Sequence, residues 1–190
     1  MEKGRLEAFS DGVLAIIITI MVLELKAPHD GGWEALRGLA PEFFSYVLSF
    51  AYVGIYWNNH HHMLKAAHRV NGAILWANLH LLFWLSLVPF TSAWMARSHY
   101  AAAPITLYGV VLLLAAISYF ILQWAIICGH GKESLLRTAL GSDWKGKGSM
   151  LLYVAAIILS LWWPSAAFSI YVLVALLWLV PDRRISRVVK

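Results

Sequence analysis

Six long apolar stretches, joined by short charged or glycine-rich connections, restrict this chain to few folds. They cover roughly residues 9–25, 39–64, 70–96, 104–128, 149–163 and 166–180. A hydrocarbon layer about 30 Å thick is crossed by roughly 17–25 mostly apolar helical residues. In hydrocarbon a lone segment satisfies its own backbone N–H and C=O groups only as a helix. The expected fold is therefore an all-α integral membrane protein of six transmembrane helices, one unit over residues 1–190. With 61% hydrophobic and 13% charged residues, a water-facing exterior is excluded. The last two stretches are short, and Trp162-Trp163-Pro164-Ser165 between them reads as a tight turn at an aromatic belt.

Orientation follows from the basic residues. With the N-terminus inside, one side of the bilayer holds twelve: Lys3 and Arg5; Lys65 and Arg69; Lys132, Arg137, Lys145 and Lys147; and Arg183, Arg184, Arg187 and Lys190. The other side holds three, Lys26, Arg37 and Arg97. The positive-inside rule then places both termini in the cytoplasm, as six spans require. The net charge of +5 is explained by those loops, so nucleic acid is not an expected partner. The opening residues carry acids and bases and no small-residue cleavage site, so the first helix is expected to stay in the protein. No internal repeat is visible, and 129–148 reads as a flexible cytoplasmic connection. A single cysteine, Cys128, excludes an internal disulfide or a cysteine metal cluster.

The first helix carries the chemistry. Phe9-Ser10-Asp11 opens it, with Arg5 about one turn earlier, and Asp11 needs a partner because a carboxylate near hydrocarbon is costly alone. At 3.6 residues per turn, Ile16, Ile20 and Leu23 form one stripe with Thr19 beside it, and Asp11 lies roughly 140° from Ile16. Periodicity does not separate a stripe that packs on other helices from one that lines a pore.

Arg5-x-x-x-Phe9-Ser10-Asp11, followed by Gly-Val-x-Ala-Ile-x-x-Thr, resembles the signature of the transmembrane protein 175 family of potassium channels, in its single-repeat prokaryotic branch. The resemblance extends through Tyr52–Met63 in the second stretch and Phe83–Phe90 in the third. It implies a six-helix subunit in a homotetramer within the cell membrane of a prokaryote, conducting K+ along a path surrounded by the first helices. It further implies a narrowest ring at Ile16, further apolar layers at Ile20 and Leu23, and a role for Thr19 in preferring potassium. Rings of Ile and Leu gate by dewetting. No cofactor is implied beyond K+ as permeating ion. Tyr52-Val53-Gly54-Ile55-Tyr56 superficially looks like a carbonyl filter, but it lies inside an uninterrupted apolar span. Selectivity then has to come from pore dimensions, Thr19 hydroxyls and long-range electrostatics.

In this orientation Ser10 and Asp11 share a depth with Trp57, Asn58, Asn59, His60–His62, Asn71, Trp76 and Asn78. The expectation is an interhelical polar layer tying the first helix to the second and third, with Trp57, Asn58, His61 and Asn78 as its main members and Asp11 accepting from Trp, Asn or His donors. Three adjacent histidines point in different directions on a helix and do not ligate one ion, and His80 or His68 would complete a site only by chance of packing, so no metal is expected. Ser10 lacks nucleophile-elbow glycines, and its neighbour Asp11 faces about 100° away, so no enzyme is expected. The remaining alternative is a secondary or proton-coupled transporter using Asp11 and the histidines as a relay. Only Pro89 breaks a span in the way such carriers do.

Overall fold

The computed structural model describes residues 2–28, 31–67, 69–130 and 144–179. Its elements are helical. They run α1 (Lys3–Leu23), α2 (Trp33–Gly38), α3 (Ala40–Lys65), α4 (Gly72–Ser86), α5 (Val88–Arg97), α6 (Ala102–His130), α7 (Trp144–Ser160) and α8 (Pro164–Leu179). By length and composition, Lys3–Leu23, Gly72–Arg97 and Ala102–Gly129 qualify as membrane-crossing helices, and Pro164–Leu179 is a shorter apolar one. Lys132, Arg137, Arg183, Arg184, Arg187, Lys190 and His68, used above for orientation and metal binding, lie outside the described residues.

The third apolar stretch is helical in two pieces. Pro89 supplies no backbone N–H and sits in the first turn of α5, where none is needed. Leu87 ends α4, its N–H reaching Trp84 O at 3.2 Å, and its own carbonyl accepts from Thr91 N at 3.1 Å to start α5. Asn71 caps the N-terminus of α4 by accepting from Ile74 N at 2.9 Å. The short α2 buries no side chain and leaves Trp33 and Leu36 exposed.

Packing runs in sequence around the bundle. α6 lies against α4, α5 and α7, α7 lies against α8, and α1 lies against α3, α4 and α5. The centre is built from tyrosines. Tyr52 of α3, Tyr108 of α6, Tyr153 of α7 and Tyr171 of α8 are buried, with successive ring centroids 5.8–6.5 Å apart. Buried hydroxyls need partners. Tyr52 donates to Tyr171 O at 2.6 Å, Tyr108 shares a bond with Ser49 Oγ at 3.0 Å, and Tyr171 donates to Ile105 O at 3.3 Å.

His99 and Tyr100 turn the chain from α5 into α6 with left-handed φ of 47° and 58°. Tyr100 anchors that turn, its hydroxyl donating to Pro41 O at 2.7 Å and its ring meeting Phe168 edge-on. Gly109 of α6 is required by close approach, because a Cβ there would overlap the Tyr171 hydroxyl and crowd Ile157. Gly109→Ala is expected to lower stability by about 1–3 kcal/mol. Thermal melting of the purified protein checks this, and Tyr171→Phe in the same background should restore part of the loss.

Candidate functional site

α1 has two different sides. Leu6, Ser10, Leu14, Ile17 and Met21, spaced by four, four, three and four residues, are its buried positions and form one stripe against the bundle. Ile16, Thr19, Ile20 and Leu23 lie roughly 80–180° round the helix from Ser10. They are left free, with 59% of Ile16, 43% of Ile20 and 76% of Leu23 exposed in a single chain. Thr19 is exposed too, and its hydroxyl donates to Ile16 O at 2.8 Å. An apolar face this open is either lipid-facing or covered by further copies of the chain.

The rotation of α1 is set by a directional hydrogen-bond chain. Ser10 Oγ donates to Leu6 O at 2.8 Å and accepts from Asn78 Nδ2 at 2.9 Å. The amide oxygen of Asn78 lies 2.6 Å from His60 Nε2. Since that oxygen only accepts, His60 carries its proton on Nε2 and donates. All three side chains are buried, at 0%, 2% and 0% exposure for Ser10, His60 and Asn78, so the chain ties α1, α3 and α4 together away from solvent.

At the same level Trp57 Nε1 donates to Asp11 Oδ1 at 3.0 Å, and His61 stacks on the Trp57 ring at 6.4 Å. About two turns nearer the N-terminus, Lys3 Nζ donates to Lys65 O at 3.0 Å. Of the expected site residues the structure thus joins Ser10 with Asn78 and Asp11 with Trp57. Asn58 is half-buried and belongs to neither pair, while Arg5 and Phe9 are exposed. His61 touches the layer only through Trp57, and the histidine inside it is His60. The spacing carries that distinction. His60 continues the buried series Ser49, Tyr52, Tyr56 at helical intervals, whereas His61 is turned about 100° from it. His80 is engaged elsewhere, one ring nitrogen against Ser118 Oγ and the other accepting from Trp84 Nε1, each at 3.0 Å. Among the described residues no group of three His, Cys, Asp or Glu side chains is placed to hold a metal ion.

A bundle of apolar helices, pinned inside by a buried polar layer and with one apolar helix face left open, is the architecture of an integral membrane protein of the α-helical class. Residues 5–89 match the family model described as the endosomal/lysosomal potassium channel TMEM175. A potassium channel of Chryseobacterium sp. (strain P1-3) is 54% identical over 190 residues, covering 100% of this chain and 99% of the relative. A potassium channel of Streptomyces collinus is 36% identical over 163 residues, covering 74% of this chain and 78% of the relative. The fold is similar to the crystal structure of a lysosomal potassium-selective channel TMEM175 homolog from Chamaesiphon minutus, with a TM-score of 0.80, 28% identity, and coverage of 96% of this chain and 98% of that one. The chain belongs to the TMEM175 family, in its prokaryotic branch, and that family is one of ion channels rather than enzymes.

A buried donor deprived of its acceptor costs about 1–3 kcal/mol, while an exposed bond costs less. Asn78→Leu orphans His60 Nε2–H and is expected to lower the melting temperature more than Trp57→Phe, whose bond to Asp11 is exposed. Melting of the purified proteins by fluorescence-detected size exclusion checks the order. Equal shifts would contradict the assignment of the buried chain as the main tie.

Proposed function

We propose that this protein is one subunit of a homotetrameric potassium channel in a prokaryotic cell membrane, conducting K+ down its gradient along an axis lined by four copies of α1. The observation that carries the reading is the free face of α1, where Ile16, Thr19, Ile20 and Leu23 stand exposed opposite a fully used packing stripe. One helix cannot enclose an ion path, and cyclic assembly of identical subunits supplies the closure. The kinship with proteins named as potassium channels supplies the ion.

In this reading residues 1–190 form a single six-span unit. α1, α3, α4 with α5, α6, α7 and α8 cross the bilayer in turn, and both termini are cytoplasmic. α1 and α3 are then antiparallel, which agrees with the pairing of Lys3 with Lys65 and of Asp11 with Trp57 at one level. Four Ile16 side chains form the narrowest ring, with Ile20 and Leu23 as further apolar layers. A narrow ring of this kind expels water, so a hydrated cation meets a desolvation barrier that a small widening removes.

Thr19 adds hydroxyl oxygen between the Ile16 and Ile20 levels. Its proton is used within its own helix, at Ile16 O, which leaves the oxygen lone pairs for a passing cation. The buried layer of Ser10, Asn78 and His60, with Asp11 and Trp57 beside it, holds the helix at the rotation that presents this face to the axis.

The test is the reversal potential of purified protein in a planar bilayer, with potassium on one side and sodium on the other. The wild type is expected to reverse toward the potassium potential, and Ile16→Asn to pass more current with weaker discrimination, because a polar ring no longer dewets. No current from either protein would overturn the channel reading.

A further inference from the structure

The two ends of α1 are held very differently. Its N-terminal half has Lys3 on Lys65 O, Ser10 on Asn78 and Asp11 on Trp57. Its buried stripe ends at Met21, and Val22 and Leu23 beyond it are exposed. Among the described residues, the side-chain tie between the C-terminal half of α1 and the rest of the protein is one ion pair. Arg97 Nη2, at the end of α5, donates to Glu24 Oε2 at 2.5 Å.

We infer that the Glu24–Arg97 pair is the latch that keeps the C-terminal end of α1 drawn back against α5, and with it the Ile20 and Leu23 side chains withdrawn from the axis. The inference rests on the channel reading above. Glu24 is the C-cap residue of α1, and no basic residue occupies that helix's last turn. An acid at a helix C-terminus opposes the helix dipole, so α1 alone disfavours this end. Arg97 reverses the balance from another element, and at the end of α5 its own charge is favoured by that helix.

Beyond Met21, where Val22 and Leu23 are exposed, packing does little to replace the pair. A cavity of about 20 Å³ adjoins it between Met21, Glu42, Tyr46 and Ser92. On its other side a cleft of about 370 Å³ opens against Ile20, Phe90 and Trp94. The two side chains are 52% and 42% exposed, so water and salt screen the attraction. A tie of that strength is suited to a reversible latch, because four copies acting together shift an open–closed balance without locking it. Glu24 directly follows Leu23, so release lets the free face lean inward and narrow the path.

Single-channel recording in symmetrical potassium tests this with Glu24→Gln, Arg97→Gln and the charge-swapped double variant Glu24→Arg with Arg97→Glu. Both single variants are expected to lower the ratio of open to closed time about tenfold, with unit conductance and reversal potential unchanged. The swap should restore that ratio to within about twofold of wild type. Open probability that is unchanged or raised in the single variants overturns the latch. So do changes of opposite sign in unit conductance, which would make the two residues simple electrostatic terms at the mouth.

A second readout needs no current. Spin labels at Val22→Cys, in a Cys128→Ser background, are expected to approach one another across the assembly when Arg97→Gln is added. An unchanged distance overturns the latch whether or not the protein conducts, and absence of current in wild type bears on the channel reading alone.

Discussion

The hydroxyl of Ser10 decides which side of the first helix faces its own protein. It is buried, it already donates to Leu6 O, and its remaining capacity is filled by the Asn78 amide, itself held by His60. Any rotation of α1 by a few tens of degrees would strand at least one of these groups without a partner, a loss of about 1–3 kcal/mol for each. The apolar stripe of Leu6, Leu14, Ile17 and Met21 gives the same rotation through packing alone. Two independent interactions therefore select one orientation, and the free face of Ile16, Thr19, Ile20 and Leu23 is what that orientation leaves over.

The rest of the bundle is a support for this helix. The tyrosines of α3, α6, α7 and α8 form an interlocked centre, in which the Tyr52, Tyr108 and Tyr171 hydroxyls are spent on backbone carbonyls and a serine. Such a centre gives α3 a fixed position, and α3 supplies both His60 and Trp57 to the polar layer. α4 supplies Asn78 and is braced from behind by α6. Beyond the interruption at Leu87, α5 continues to Arg97, which meets Glu24 at the other end of α1. Among the described residues, one half of α1 is held by several side-chain hydrogen bonds besides its packing, and the other by the packing of Ile17 and Met21 and a single screened ion pair.

Much of this was legible in the sequence, because bilayer thickness and backbone satisfaction leave apolar stretches of this length few choices. That Asp11 needs a Trp, Asn or His donor follows from the cost of an unpaired carboxylate, whereas the choice of Trp57, and the bond from Asn78 to Ser10, come from the packing of the helices. His61 stood in place of His60 because depth alone does not say which of three neighbouring histidines points inward. Only the helical series from Ser49 through Tyr52 and Tyr56 does. The two-piece third stretch was signalled by Pro89, whose placement within the first turn of a new helix depends on the backbone of Leu87. The tyrosine centre gave no warning, since aromatic residues read equally well as interfacial anchors. The short α2 has too few residues for any periodicity to show.

The central claim is that the side of α1 away from Ser10 faces an aqueous ion path, and thiol accessibility along that helix tests it most directly. In a Cys128→Ser background, single cysteines at Ile16, Ile20 and Leu23, and at Leu14, Ile17 and Met21, would be exposed to a charged, water-soluble thiol reagent while potassium current is recorded. The account predicts block at the first three positions and no effect at the other three. Reaction at Leu14 or Ile17 with none at Ile16 and Ile20 would contradict it, placing the ion path, if there is one, elsewhere in the protein.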